Sequence, residues 1–352
     1  MKKQFKILIL LLILPFILIA NDIDEGKYSK QKTIKKAYFV NPDAGIDIKN
    51  SYGNVTISTW NEDKIELDIV IKVSGDSESW VDKRLDDINV DIEALKSMVK
   101  AETKIANSGN GGRNNSIEIN YTIKIPKNGN TKVNNNYGSI ITSDLFANSN
   151  LTCKYGRIEL AKLNGLSNII RIDYCSKSTI ESVKNATIDA DYSGLTINEY
   201  GKINLSADYT SINFGNGSDL KYECNYGKLN FGKINNLDGN GDYLSVKVDD
   251  IQNSLKIDTK YSKITVGVLD SKFNNFSIAS EYTTIDVNYD AQASFDFNVT
   301  TKYANFKHGN ELEVSYKNES GSTKSYQGFY RKSGDNKMTI RTEYGSINLL
   351  KK

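Results

Sequence analysis

One tyrosine recurs along most of this chain at a spacing that leaves few folds open. The segments read VNNNYGSIIT from Val133, LTCKYGRIEL from Leu151, IDADYSGLTI from Ile188, LSADYTSINF from Leu205 and YECNYGKLNF from Tyr222. They continue as IDTKYSKITV from Ile257, IASEYTTIDV from Ile278, VTTKYANFKH from Val299 and IRTEYGSINL from Ile340, with an outlying copy, IKNSYGNVTI, at Ile48. The anchors are Tyr52, Tyr137, Tyr155, Tyr174, Tyr192, Tyr209, Tyr226, Tyr243, Tyr261, Tyr282, Tyr303 and Tyr344. They fall 17 to 19 residues apart from Tyr137 to Tyr261, then 21 apart as far as Tyr303.

With the tyrosine as position 0, position −4 is apolar in every copy except at Gly239, and position −2 is small or modest at Cys153, Ala190, Ala207, Cys224, Gly241, Thr259, Ser280 and Thr301. Positions +3 and +5 are mostly Ile, Leu, Val or Phe. Alternation of period two describes a strand with one buried face. The switch from even to odd positions across the tyrosine requires a bend there, which the following Gly or Ser suits. One such unit is too small to bury its own face, whereas a stack of units about 4.8 Å apart shares a continuous core. The expected fold is therefore all-β: a single-stranded β-solenoid, a parallel β-helix-like stack of coils of 17 to 21 residues. Because the tyrosines share register with the apolar positions, they are expected in the core, the alternative being that they face a ligand, as in carbohydrate binders. In the core each would stack on its neighbours, with its hydroxyl toward a wet corner.

The flanks read differently. Met1 to Ala20 has a basic start (Lys2, Lys3, Lys6), an apolar run and a small terminal residue, the pattern of a secretory signal peptide cleaved after Ala20. Residues 21–125 read as a β-rich N-terminal cap region with one helix. Lys64–Val73 alternates as a strand, and Ser79–Ile88 is helical with Asp76 or Ser77 as N-cap. Asn89–Ile92, Met98–Ile105 and Ile117–Ile125 are further strands, and Asn107–Asn115 is a loop. Residues 126–352 are assigned to the solenoid, with a C-terminal hairpin insert at 312–337 covering its far end, since an open stack exposes sheet edges. Cys153, Cys175 and Cys224 are odd in number and unmatched in the repeat, so they read as buried free thiols.

Charge excludes more than it suggests. The chain carries 45 Lys+Arg against 43 Asp+Glu, and loss of the leader leaves 42 against 43. That balance provides no field for nucleic acid. A single histidine, His308, rules out paired-histidine metal sites.

The order of parts resembles the bacterial DUF4097 β-strand-repeat family, known as putative adhesins. The resemblance rests on the leader, on KIELDIVIKV followed by WVDKRLDDI, on YTIKIPKNGNTKVNNNYGSI with its Pro126, and on the terminal TEYGSINL. It implies a non-enzymatic protein of the periplasm or cell surface, not the cytoplasm, and it supplies no catalytic residues. Its partner is then an unidentified envelope protein or a glycan.

Residue chemistry adds few sites. Gly227 to Lys233 matches the first seven places of a phosphate-binding loop but has Ile234 at the eighth, and Gly227 belongs to the repeat. A polysaccharide-binding or polysaccharide-degrading parallel β-helix is the alternative reading. Degradation requires clustered carboxylates in a deep groove, whereas the outward positions here are mostly Ser, Thr, Asn and scattered charge. No catalytic residue and no cofactor is therefore expected, weak calcium apart. Position −1 holds Asp173, Asp191, Asp208, Asn225 and Asp242 in successive copies, a stripe that Arg171, Lys154 and Lys260 would relieve. Asp238, Asn240 and Asp242 have the spacing of a calcium loop with Asp249 at its twelfth place, although the turn position is Tyr243. Aromatic residues at or beside the C-terminal insert, Tyr316, Tyr326, Phe329 and Tyr330, form the expected contact surface; Tyr200 and Tyr289 are further off-register aromatics.

Overall fold

The computed structural model describes residues 26–106, 114–334 and 336–352. The leader and most of the Asn107–Asn115 loop lie outside them. The chain is an all-β solenoid in which long strands run from one coil into the next. Ser178–Asp191, Gly194–Asp208, Ser211–Asn225, Gly227–Asn240 and Leu244–Lys260 are stacked in parallel, each paired with the next. Within Ser211–Asn225 the in–out alternation breaks at Gly215–Asp219, where the strand rounds the corner opposite the tyrosine. Each coil thus has two arms whose apolar faces meet in one core.

The core is made of columns. Ile203, Leu220, Leu237, Leu255 and Phe276 succeed one another at position −6, and Leu195, Ile212, Leu229, Val246, Ile264 and Ile285 at position +3, all buried. At roughly 1.5–3 kcal/mol per large apolar side chain, a coil with five of them outweighs any single surface contact.

The outlying Tyr52 copy proves to be the first coil. Gly45–Ser51 pairs in parallel with Thr131–Asn136, Ile48 lying beside Val133, and Val55–Trp60 pairs with Ser139–Thr142. The solenoid therefore begins at Gly45 and not at residue 126, with residues 61–125 inserted as an excursion. That excursion caps the stack. Met98–Ile105 and Ser116–Pro126 add parallel strands to the first coil, and Ile88–Ala94 and Lys64–Gly75 continue the two arms antiparallel. Tyr28–Phe39, which precedes the first coil in sequence, adds one more antiparallel strand beside Lys64–Gly75. The helix Glu78–Asp86 lies on Lys64–Gly75 and Tyr28–Phe39; Ser77 is its N-cap, accepting from the Trp80 N–H at 3.4 Å. Ile88, assigned to the helix by periodicity, instead opens the next strand.

The far end departs from sequence order. Asn336–Glu343 pairs with Asn275–Glu281 on one side and Phe295–Lys302 on the other; Ser346–Lys351 is likewise held between Thr284–Tyr289 and Asn305–His308. The C-terminal coil is thus slotted between the Tyr282 and Tyr303 coils. Beyond the Tyr303 coil, the hairpin of Glu313–Ser320 and Thr323–Tyr330 extends one arm antiparallel.

Candidate contact surface along the tyrosine corner

The corner that carries the tyrosines is built by three adjacent positions. Each tyrosine sits in the left-handed region, with φ between 47° and 63°. That conformation turns its side chain out of the core, whereas period-two alternation had placed it inside. All twelve rings remain between 42% and 59% exposed. The expected stacking is present, but on the surface. Eleven successive ring pairs run in the order Tyr52, Tyr137, Tyr155, Tyr174, Tyr192, Tyr209, Tyr226, Tyr243, Tyr261, Tyr282, Tyr344, Tyr303. Their centroids are 4.7–5.2 Å apart and their planes within 10°.

A left-handed tyrosine costs about 1–2 kcal/mol, and a stacked pair of rings returns about 0.5–1.5 kcal/mol. Backbone bonding fixes the geometry further. The Tyr226 N–H donates to the Asp242 carbonyl at 3.1 Å and the Tyr209 N–H to that of Asn225 at 3.0 Å, a bond repeated along the stack.

Position +1 points inward and is small in every coil but one, where Leu244 holds it. A Cβ on Gly138 or Gly156 would fall 2.0 or 2.1 Å from the carbonyl oxygen of the preceding corner glycine. Where position +1 is Ser or Thr, the hydroxyl completes the corner. Thr210 Oγ1 donates to the Asp208 carbonyl at 2.8 Å and accepts the Ser193 N–H at 3.2 Å; Ser262 Oγ donates to the Lys260 carbonyl at 2.8 Å and accepts the Leu244 N–H at 2.9 Å. Cys175 holds this place in its coil, and its Sγ lies 3.3 Å from the Cys153 carbonyl. All three cysteines are buried free thiols. The hydrogen bond shared with Cys175, then burial, pushes Cys153 up, and the same bond draws Cys175 down.

The acidic column at position −1 has a structural task. Asp191 Oδ1 accepts the Asp208 N–H at 3.1 Å, Asp208 Oδ1 that of Asn225 at 3.0 Å, Asn225 Oδ1 that of Asp242 at 3.1 Å, and Asp242 Oδ1 that of Lys260 at 2.8 Å. These bonds satisfy backbone donors at the strand end and hold the carboxylates in file. Lys154 lies 3.4 Å from Asp173, Arg171 3.2 Å from Asp189, and Lys260 2.9 Å from Glu281.

The calcium-spaced residues do not converge. Asp238 and Asn240 lie on the outward face of one arm, with Asp238 in register between Lys221 and Lys256. Asp242 is engaged by Lys260, and Asp249 lies past the tyrosine corner on the other arm, paired with Lys247 at 2.8 Å. The helical excursion of a calcium loop is absent because these residues follow the repeat. Among the described residues no cluster of three or more His, Cys, Asp or Glu side chains is arranged to hold a metal. Gly227 to Lys233 is continuous strand within Gly227–Asn240.

The expected C-terminal contact surface divides. Tyr316 is 49% exposed and Phe329 half-buried, but Tyr326 and Tyr330 are buried. Tyr326 packs edge-on to Phe306, and Tyr330 edge-on to Tyr289. These two rings close the end of the core because the hairpin leaves them over the last coil, so neither presents a face to a partner. Tyr200 and Tyr289 are also buried. His308 lies at the same end, its Nδ1 2.8 Å from the Gly309 carbonyl.

No family model matches the chain, and no curated protein does. Solved structures similar to it over most of both chains include one named "putative cell adhesion protein" from Clostridium sporogenes, at 13% identity and a TM-score of 0.18, covering 92% of this chain and 100% of that one. Another is named "putative lipid binding protein", from Parabacteroides distasonis, at 11% identity and a TM-score of 0.33, covering 93% and 98%. A third, named "putative adhesin" and from the same organism, has 9% identity and a TM-score of 0.27, covering 91% and 97%.

Proposed function

We propose that this protein is an exported, non-catalytic, adhesin-like rod whose contact face is the tyrosine strip. The observation that carries this reading is the unbroken file of twelve half-exposed rings. Each ring leaves about 100 Å² uncovered, so the strip presents on the order of 1,000 Å² of aromatic edge and phenol. The largest apolar patch on an ordinary monomer is about 300–600 Å². A rigid scaffold that repeats one aromatic side chain along an outer corner is suited to binding by surface and lacks the convergence that catalysis requires. Among the described residues no helix is long and apolar enough to cross a membrane. Export follows from the leader and is checked by the mass of the secreted protein, which is expected to begin at Asn21.

The test of the contact face is attachment. Beads coated with the protein are expected to adhere to envelope preparations and lose that adhesion on Tyr192→Asn, Tyr209→Asn and Tyr226→Asn together. Asn tolerates the left-handed backbone, so the fold should persist. Unchanged adhesion by the folded triple variant would overturn the assignment.

A further inference from the structure

Resting on the reading of the strip as the contact face, we infer that its partner is a second copy of this chain, aligned strip to strip with both N-terminal ends pointing the same way. Three features carry this. The first is which part of each ring is available. Ten of the twelve rings are covered on both faces by stacked neighbours, so what the strip offers is edges and hydroxyls in a row. A flat ligand that must lie on ring faces finds none free except at the two ends. Phe would stack as well, yet every rung is Tyr. A row of phenols can donate to and accept from an identical row.

The second feature is the repeat. Eleven steps of 4.7–5.2 Å follow the strand spacing of the stack. A partner whose repeat differed by about 0.3 Å would slip by roughly two thirds of a rung over the strip's length. A second copy keeps register at every rung by identity. The available area, on the order of 1,000 Å² from each copy, is also of the size that a specific protein pair buries.

The third feature is charge. On one side of the tyrosines, position −1 carries six carboxylates (Asp173, Asp191, Asp208, Asp242, Glu281, Glu343) against three lysines. On the other side stand Arg157, Lys177, Lys228 and Lys263, all exposed, and no carboxylate at the +2 position. A two-fold axis parallel to the solenoid sets the −1 column of each copy against the +2 column of the other. Lys177 then faces the second copy's Asp173, and Lys228 stands between its Asp208 and Asp242, whereas Arg157 and Lys263 come opposite its Lys154 and Lys260 and meet carboxylates only one rung away. The antiparallel arrangement sets like column against like, which is unfavourable for the acidic side.

Sedimentation of the full secreted chain, with a cysteine crosslink as a ruler, tests this. The wild type is expected to be a dimer at about micromolar concentration, at least tenfold weaker at high salt. Lys177→Glu and Lys228→Glu together, which meet Asp173 directly and Asp208 and Asp242 diagonally, should weaken the dimer at least tenfold with an unchanged circular dichroism spectrum. Tyr155→Cys, near one end of the strip, should crosslink to itself through a bis-maleimide spanning about 10–15 Å, since facing phenols hold the two Cα atoms beyond disulfide reach and only the parallel register brings that rung opposite its own copy. A wild type that stays monomeric, a dimer indifferent to the charge reversal, or a dimer in which Tyr155→Cys fails to crosslink overturns the inference. A monomer whose beads still adhere to envelope or glycan through the strip would replace the second copy by that partner and leave the contact face standing. Loss of strip-dependent adhesion would remove the contact face itself.

Discussion

A Cβ placed on Gly239 would fall 2.1 Å from Cζ of Tyr222, its partner in the neighbouring coil. The one break in the apolar column at position −4 is therefore space already filled by the ring of the coil before. Tyr222 is fully buried, and its hydroxyl has no hydrogen-bond partner among the described residues. Gly239→Ala should cost about 2–4 kcal/mol in chemical denaturation, through overpacking. Tyr222→Phe should be neutral or stabilising by up to about 1 kcal/mol, because it removes an unsatisfied buried group. Combining Tyr222→Val with Gly239→Ala should recover at least ~1 kcal/mol of the glycine penalty. Additive losses would show that the two positions do not share space.

The tyrosine strip makes a different prediction for stability from a core column. Tyr226→Ala removes two stacking contacts from an exposed, strained position and should cost about 1–2 kcal/mol, well below the 3–5 expected of a buried aromatic. Its neighbour Asn225 is exposed too, but its side chain accepts the Asp242 N–H and donates to Asp208. Asn225→Ala should therefore cost about 1 kcal/mol. Urea midpoints of the two variants decide, and a loss above 3 kcal/mol at Tyr226 would return that ring to the core.

Alkaline titration separates buried from exposed phenols. Burial pushes Tyr121 up to about 12 and raises Tyr200, Tyr222 and Tyr289 further. A phenol whose folded pKa is raised contributes stability that is intact below its ordinary value of about 10 and is lost as pH rises through the folded value. Stability should accordingly fall from about pH 10 upward, and these four should ionise only as the fold opens. Phenolate absorbance that reaches its full value before the loss of circular dichroism would contradict this.

Calcium should leave the protein unchanged. The −1 carboxylates already accept backbone N–H groups, and Asp249 is on a different arm from Asp238. Melting with millimolar calcium, against magnesium and chelator controls, should move the midpoint by less than about 2 °C. A larger, calcium-specific rise would mean that the acidic column binds the ion.

Much of this architecture was legible from the repeat. Buried positions −4, −2, +3 and +5 follow directly from alternation, and Gly or Ser after the tyrosine marked the corner. The side of the corner on which the tyrosine lies was not legible. Period-two reasoning assigns it to the buried set, and only the positive φ at that residue reverses it. A tyrosine followed at ten of twelve turns by Gly, Ser, Thr or Cys, and at the others by Leu244 and Ala304, was the available signal, since two adjacent residues cannot both point inward on a strand. The place of the Tyr344 coil was equally hidden, because nothing local to IRTEYGSINL specifies that it enters between the Tyr282 and Tyr303 coils. Tyr326 and Tyr330 looked free for contact because they lie off the repeat, but an end cap also needs aromatic cover.

Tyrosine nitration mapped by peptide mass spectrometry, on the free protein and on protein attached to its target surface, tests the central claim most directly. In the free protein, diluted below the concentration at which copies pair, the twelve corner tyrosines should be modified, while Tyr121, Tyr200, Tyr222 and Tyr289, all buried, stay unmodified. On attachment the corner tyrosines should become protected together, and Tyr316 on the hairpin should not. Corner tyrosines resistant in the free protein, or equally reactive when it is attached, would contradict the account.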